Sequence, residues 1–140
     1  MRWLLVAWAA PCTLIGLCIG TVALLLGGRA GAAAGALEFS LPSHRRIGRA
    51  IATCLPFGAI TFGHVVFGIS PEQLVLLRDH ERAHVRQYEV LGPLFLLAYP
   101  LASIVAALRG RPAYRGNWFE VQAYRAVRDG DGDGPARHAD

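Results

Sequence analysis

Lysine is missing from this chain, and all 14 of its basic residues are arginine. Set against 10 acidic residues they leave a net charge of +4, and charged residues make up only 17% of the 140. There is no lysine-rich block to track a phosphate backbone, so nucleic acid is not an expected partner. Arginines facing anionic lipid are the simpler reading. Cysteine is scarce too. Cys12 and Cys18 sit in an apolar run and Cys54 stands alone, which leaves no C-x-x-C pair, no disulfide framework and no thiolate metal site. No phosphate-binding glycine loop, nucleophile elbow or Cys/His dyad occurs, so the nucleotide-binding and covalent hydrolase patterns do not apply. No internal repeat is visible.

Apolar residues are in excess, at 54%. The cause is local. Residues 3–26, WLLVAWAAPCTLIGLCIGTVALLL, carry no charge. As a helix rising about 1.5 Å per residue the run covers about 36 Å, more than a hydrocarbon core of about 30 Å. Trp3 and Trp8 suit the headgroup level. The expectation is a single N-terminal transmembrane anchor over residues 1–28, with the lipid bilayer as partner. A signal peptide competes. Its apolar region is usually about 7–15 residues, shorter than this run, but residues 31–36 offer small side chains for cleavage. Arg2 precedes the run; Arg29, Arg45, Arg46 and Arg49 follow it. That leans weakly toward a cytoplasmic C-terminal part. The side on which the domain lies, and its oligomeric state, stay open.

Residues 29–58 read as a connector. Its GGRAGAAAGA stretch is flexible by composition, residues 37–40 suit a short strand, and residues 43–49 are basic and suit a membrane surface. Residues 59–68, AITFGHVVFG, are β-branched and aromatic between glycines, a strand or tight hairpin with Gly63 a candidate bulge. Ser70-Pro71-Glu72-Gln73 is a helix start, with Ser70 as N-cap, Pro71 at the first position and Gln73 completing a capping box. That helix should run to about Leu91, where Gly92-Pro93 stops it. An apolar stretch over 93–108 follows, and Asn117-Trp118-Phe119-Glu120 opens a last helix to about Arg128. Residues 129–140, DGDGDGPARHAD, lack apolar periodicity and are expected to be a disordered acidic tail. Their D-x-D-x-D-G matches the start of a calcium loop, but no exiting helix remains. The fold class expected is mainly α with a small β-strand or hairpin element (α+β), its domain over residues 59–128.

The stretch RDHERAHVRQYE contains H-E-x-x-H. On a helical wheel Leu74, Leu77, His80, Glu81, His84, Tyr88 and Leu91 share one face, while Arg78, Asp79, Arg82, Arg86 and Glu89 lie opposite. Two histidines and a carboxylate on a core-facing stripe need a partner, because an uncompensated buried charge is costly. A zinc ion is one: imidazoles at i and i+4 converge on a point, and Glu81 can act as base toward a zinc-bound water. The alternative is a helix whose polar groups satisfy each other. Arg78, Arg82 and Arg86, at i, i+4 and i+8, repel mildly and suit an anionic neighbour such as lipid headgroups.

Zinc needs a third protein ligand. Glu89 is on the wrong face, and Asp129 and His138 are at or in the tail. Glu120, among Trp118, Phe119, Val121 and Tyr124, is the choice, although Asn117 with Glu120 also reads as a capping box. If Glu120 joins His80 and His84, residues 93–108 cannot cross a membrane once. They must return, as a buried or interfacial helix packed antiparallel to the motif helix. His64 is either a substrate contact or a packed strand residue, and His44 is solvated.

HERAH with E-V-Q-A-Y downstream resembles the gluzincin type of zinc metallopeptidase, H-E-x-x-H followed by E-x-x-A-D on a later helix, and small bacterial membrane-anchored relatives in which a strand like AITFGHVVFG precedes the motif helix. The resemblance covers about residues 59–126. It implies a minimal zincin-like domain that hydrolyses peptide or protein substrates with zinc. In it His80, His84 and Glu120 are ligands, Glu81 is the base, and Gly63, His64 and Val65 line the cleft and pair with an extended peptide. Where the family has an acidic residue that hydrogen-bonds a ligand histidine this chain has Tyr124, which lacks the carboxylate's charge and should hold zinc less firmly. The other reading is a non-catalytic membrane protein that keeps the architecture as a metal-binding or structural module. A third is a two-span membrane protein with no metal.

Overall fold

The computed structural model describes residues 2–131. The order is α1 (Arg2–Leu25), β1 (Arg29–Ala33), β2 (Ala36–Ser40), α2 (Arg46–Cys54), β3 (Ala59–Phe62), β4 (Val65–Gly68), α3 (Pro71–Leu91), a 3-10 turn at Gly92–Leu94, α4 (Phe95–Leu108) and α5 (Trp118–Asp131). The chain is mainly helical around one four-stranded sheet of order β1-β2-β4-β3, the fold class expected. β1–β2 and β4–β3 pair antiparallel, and the two hairpins join through parallel β2 and β4.

Both hairpins close on two residues. Phe62 pairs with Val65 across Gly63 and His64. Gly63 has φ 60, which glycine adopts freely at the first position of a type II′ turn. It makes a turn here, not the bulge expected. Ala33 pairs with Ala36 across Ala34 (φ 52) and Gly35 (φ 84), the two left-handed residues of a type I′ turn. The stretch expected to be a flexible connector is therefore an edge strand and its hairpin. RAGAA holds no β-branched residue, so propensity is weak. The ladder from Arg29↔Ser40 to Ala33↔Ala36 holds it instead.

Helix α1 is not free-standing. Ala9, Cys12, Gly16, Gly20 and Ala23 form a buried stripe of small residues, and the stripe lets the helix lie close on the sheet. A Cβ added at Gly16 would come 2.6 Å from Val65 Cβ, and one at Gly20 2.6 Å from the Phe39 ring. Ala23, Phe39, Leu41, Val65 and Phe67 form one apolar cluster. On the other side of the sheet α3 contributes Leu74 and Val85 to a second, with Ala36, Ala59 and Val66. The packing is helix, sheet, helix. Residues of the expected anchor (1–28) and connector (29–58) share this core with the expected domain (59–128): Ala23, Ala36, Phe39 and Leu41 are four of its ten clustered residues. By length and composition alone, Trp3–Leu25 and Pro71–Leu108 are apolar enough to cross a membrane.

Helix α3 starts as expected, with Ser70 Oγ accepting from Gln73 N at 3.2 Å. Gly92, φ 55, ends it. The 3-10 turn then sends α4 back. Tyr88 meets Phe95 at 4.4 Å between ring centroids, and His84 meets Tyr99 at 6.2 Å, the pairing of an antiparallel return. Phe119 of α5 packs on Phe95 at 4.9 Å. Helix α5 continues to Asp131, past the Arg128 expected. The rest of the tail, with His138 and most of the calcium-loop match, lies outside the described residues.

Candidate metal centre

The wheel reading of α3 holds. Leu74, His80, Glu81, His84 and Tyr88 are buried; Asp79, Arg82 and Arg86 are exposed. Arg78 differs from the lipid-facing row expected: it makes a two-pronged ion pair with Glu38 of β2, at 2.8 and 2.9 Å.

His80 Nε2 and His84 Nε2 are 3.1 Å apart. Glu120 Oε2 lies 3.2 Å from the first and Glu120 Oε1 3.3 Å from the second. One donor atom from each of the three buried residues falls within 4.8 Å of the others, and the group could hold a metal ion. The return of α4 makes this possible. Asn117, fully buried, accepts from Phe119 N at 2.9 Å and so caps α5 as expected. Its Nδ2 donates to Tyr99 O at 3.0 Å and Ser103 Oγ at 2.8 Å, which ties α5 to α4. Glu120 does not complete a capping box; it turns to the histidines.

Three supporting residues escaped the sequence reading: Gln87, Tyr99 and Thr61. Gln87 Nε2 donates to Phe119 O at 3.0 Å, which aims Gln87 Oε1 at His84 Nδ1, 2.8 Å away. Nδ1–H donating there leaves the Nε2 lone pair directed at the cluster. Gln87 sits at i+3 from His84, a spacing visible on a helix. Tyr99 OH donates to Glu120 Oε1 at 2.5 Å; no local pattern announces that contact, which crosses from α4 to α5.

The electrostatics suit a cation. Glu120 Oε2 and His80 Nδ1 are buried with no hydrogen-bond partner; although Oε2 is near His80 Nε2, the two are not aligned as a bond. Burial alone would raise the Glu120 carboxyl, but His80, His84 and Tyr99 outweigh it and hold the group far below the usual carboxylate range. Burial lowers His84, but contacts with Glu120, Glu81 and Gln87 reverse that and leave it raised. A carboxylate held ionised between two imidazoles is a protonated pair or a metal site. His80, His84 and Glu120 would supply two nitrogens and one oxygen to a zinc ion, a donor set that suits a catalytic site.

Glu81 is buried beside the cluster. Thr61 Oγ1 donates to its Oε2 at 2.7 Å, and burial pushes the carboxyl up. Tyr124 differs from its expected part. Its half-exposed ring tilts against the His80 ring at 4.6 Å, and no hydrogen bond joins them. A tyrosine here covers the imidazole rather than orienting it.

The peptide-pairing segment also differs. β4 is paired on both edges, so it has no backbone groups left for a peptide. Val65 is fully buried under α1, and Gly63 packs on Thr13. His64 is half-buried, its Nε2 at 3.2 Å from Glu89 Oε1. Gly63, His64 and Val65 therefore do not line a cleft at the metal cluster. Among the described residues the free sheet edges are β1 and β3. A 10 Å³ cavity beside Glu81, bordered by Ala33, Val66, Arg78 and Arg82, is about the size of one water. A wider 340 Å³ concavity lies between the β1–β2 turn, Thr13 and His64.

No family model matches the chain, and neither the curated proteins nor the solved structures compared with it include a match.

Proposed function

We propose that the chain is a membrane-associated zinc metallopeptidase of gluzincin-like type. One observation carries the reading: His80, His84 and Glu120, from helices separated by a chain reversal, bring two imidazoles and a carboxylate within 4.8 Å in a buried place. That donor set suits zinc. Zinc bound there would lower the pKa of a coordinated water to about 7 and polarise a peptide carbonyl. With zinc held there, Glu81, next to the first ligand, would be placed to take the water's proton and hand it to the leaving amine. Burial pushes its carboxyl up, which makes it the stronger proton acceptor. Thr61 occupies Oε2, so Oε1 is the accepting atom. Peptide substrate adds along the outer edge of β3, where the register turns the N–H and C=O of Thr61 away from β4. Membrane attachment runs through α1, with α4 interfacial.

A metal-binding module without catalysis is the second reading. It is favoured by the position of both concavities, neither of which is lined by a ligand residue. Glu81→Gln separates the two. On the first reading the variant keeps its zinc and loses all hydrolysis of a broad peptide panel. If parent and variant both hold zinc and are equally inactive, the module reading stands. If neither holds zinc, both fail.

A further inference from the structure

The outward face of α1 is an exposed apolar surface that the metal centre leaves unused. Leu4, Trp8, Ile15, Val22 and Leu25 lie along it, all exposed, with Leu4 at 72% and Leu25 at 81%. The opposite face carries the small-residue stripe that sits on the sheet. The two faces together bear on how α1 meets a bilayer. Ala9 and Cys12 pack on Tyr88 and Phe95, and from Gly16 to Ala23 the helix is packed on the sheet, about 10 Å at 1.5 Å per residue. Whatever depth that part of α1 enters, the sheet enters with it. β1 is an exposed free edge, and its register leaves the N–H and C=O of Ala30 and Ala32 pointing outward. Open sheet edges do not occur in hydrocarbon, because nothing there satisfies them. Arg82 and Arg86, exposed on α3 across the sheet, would be drawn in as well.

We propose that α1 lies in the plane of one anionic leaflet rather than crossing it, its outward face among the acyl chains and the sheet and α3 on the water side. The charges around it fit that occupant. Arg45 reaches Leu26 O, at the end of α1, with Nη1 at 3.5 Å. Arg45, Arg46 and Arg49 are exposed and, among the described residues, ion-pair with no carboxylate. Three unpaired arginines beside an apolar face are placed for lipid phosphates. At the other end Trp3 and Trp8 are exposed, and such indoles settle at the headgroup level. The inference rests on the membrane part of the reading above and is independent of peptidase activity.

The test uses the full chain with sealed vesicles of phosphatidylcholine, with and without phosphatidylglycerol. The proposal expects flotation with vesicles, stronger with the anionic lipid. Nitroxide labels at Leu4→Cys, native Cys18 and Leu25→Cys, each as the sole exposed cysteine, should report one depth. Trp3→Cys and Ser43→Cys should both react with an impermeant maleimide from the outside. A helical spectrum matching the parent's certifies that each variant is folded. A depth gradient spanning roughly 30 Å, or protection of one end until detergent is added, overturns the flat arrangement and leaves the membrane reading in place. Failure to float overturns both. If Cys18 then crosslinks to Cys18 of a second copy, the face is a self-interface.

Discussion

Replacing Gly16 with alanine tests whether α1 belongs to the domain core. In an isolated anchor the change favours the helix by about 1 kcal/mol, since glycine is a poor interior residue, and it would not touch the unfolding of a separate domain. On the sheet the new Cβ would lie 2.6 Å from Val65 Cβ, 3.0 Å from Val65 Cγ1 and 3.1 Å from Phe62 Cβ. Val65 is fully buried and held by ladders on both sides, so it cannot swing aside. Overpacking costs about 1–3 kcal/mol, and against a neighbour that cannot move the upper part of that range applies, about 2–3 kcal/mol. Net of helix propensity, a loss of about 1–2 kcal/mol remains, equivalent to a fall in Tm of about 3–10 °C for a chain this size. Circular dichroism melts of the detergent-solubilised protein, with Leu14→Ala on the exposed side as a control, measure it. An unchanged or raised Tm for Gly16→Ala would refute the packing of α1 described above.

Three further outcomes are expected. Tyr99→Phe removes the hydroxyl that holds Glu120 Oε1 and should weaken zinc binding about 10- to 100-fold, read by competition with a chelating dye, while the melt without metal moves little. Ala34→Gly relieves a left-handed alanine and should stabilise the protein by about 1 kcal/mol in urea unfolding; a loss of stability would mean that the β1–β2 turn is not formed. The third concerns pH. Glu120, held low, contributes stability above its unfolded value near 4.5 that is lost as pH falls through its folded value. His84, held high, contributes stability below 6.5 that is lost as pH rises through its raised value. Glu81, raised by burial, also loses stability as pH rises above 4.5. Chelated protein should therefore become less stable as pH climbs past 6.5, while the gain in Tm on adding zinc grows over the same range, because His84 must lose its proton to bind. A zinc increment independent of pH would contradict this.

What could be read from the sequence was what local pattern governs. Ser70 and Pro71 start α3 and Gly92 ends it; the wheel put His80, Glu81 and His84 inward; Asn117 capped α5. Placing Glu120 opposite the histidines followed from the ligand requirement and forced the return of residues 93–108. What could not be read was long-range. β1 has no strand propensity and exists through β2. α2 lay within a segment whose basic residues suggested only a surface. The small-residue stripe of α1 was hidden in an apolar run whose length alone suggested a span. Thr61 and Tyr99 reach the site from β3 and α4, elements whose positions only the assembled fold decides. The strand offered for peptide pairing was the interior member of its hairpin, because β2, the element that covers it, was not seen to join the same sheet.

The most direct test of the metal centre is zinc stoichiometry, by atomic emission on purified full-length protein, in the parent against His80→Ala and Glu120→Ala. One zinc per chain in the parent, falling to near zero in each variant with the helical spectrum retained, is the result expected. A parent without zinc, or a Glu120→Ala variant that binds it as tightly as the parent, would contradict the account.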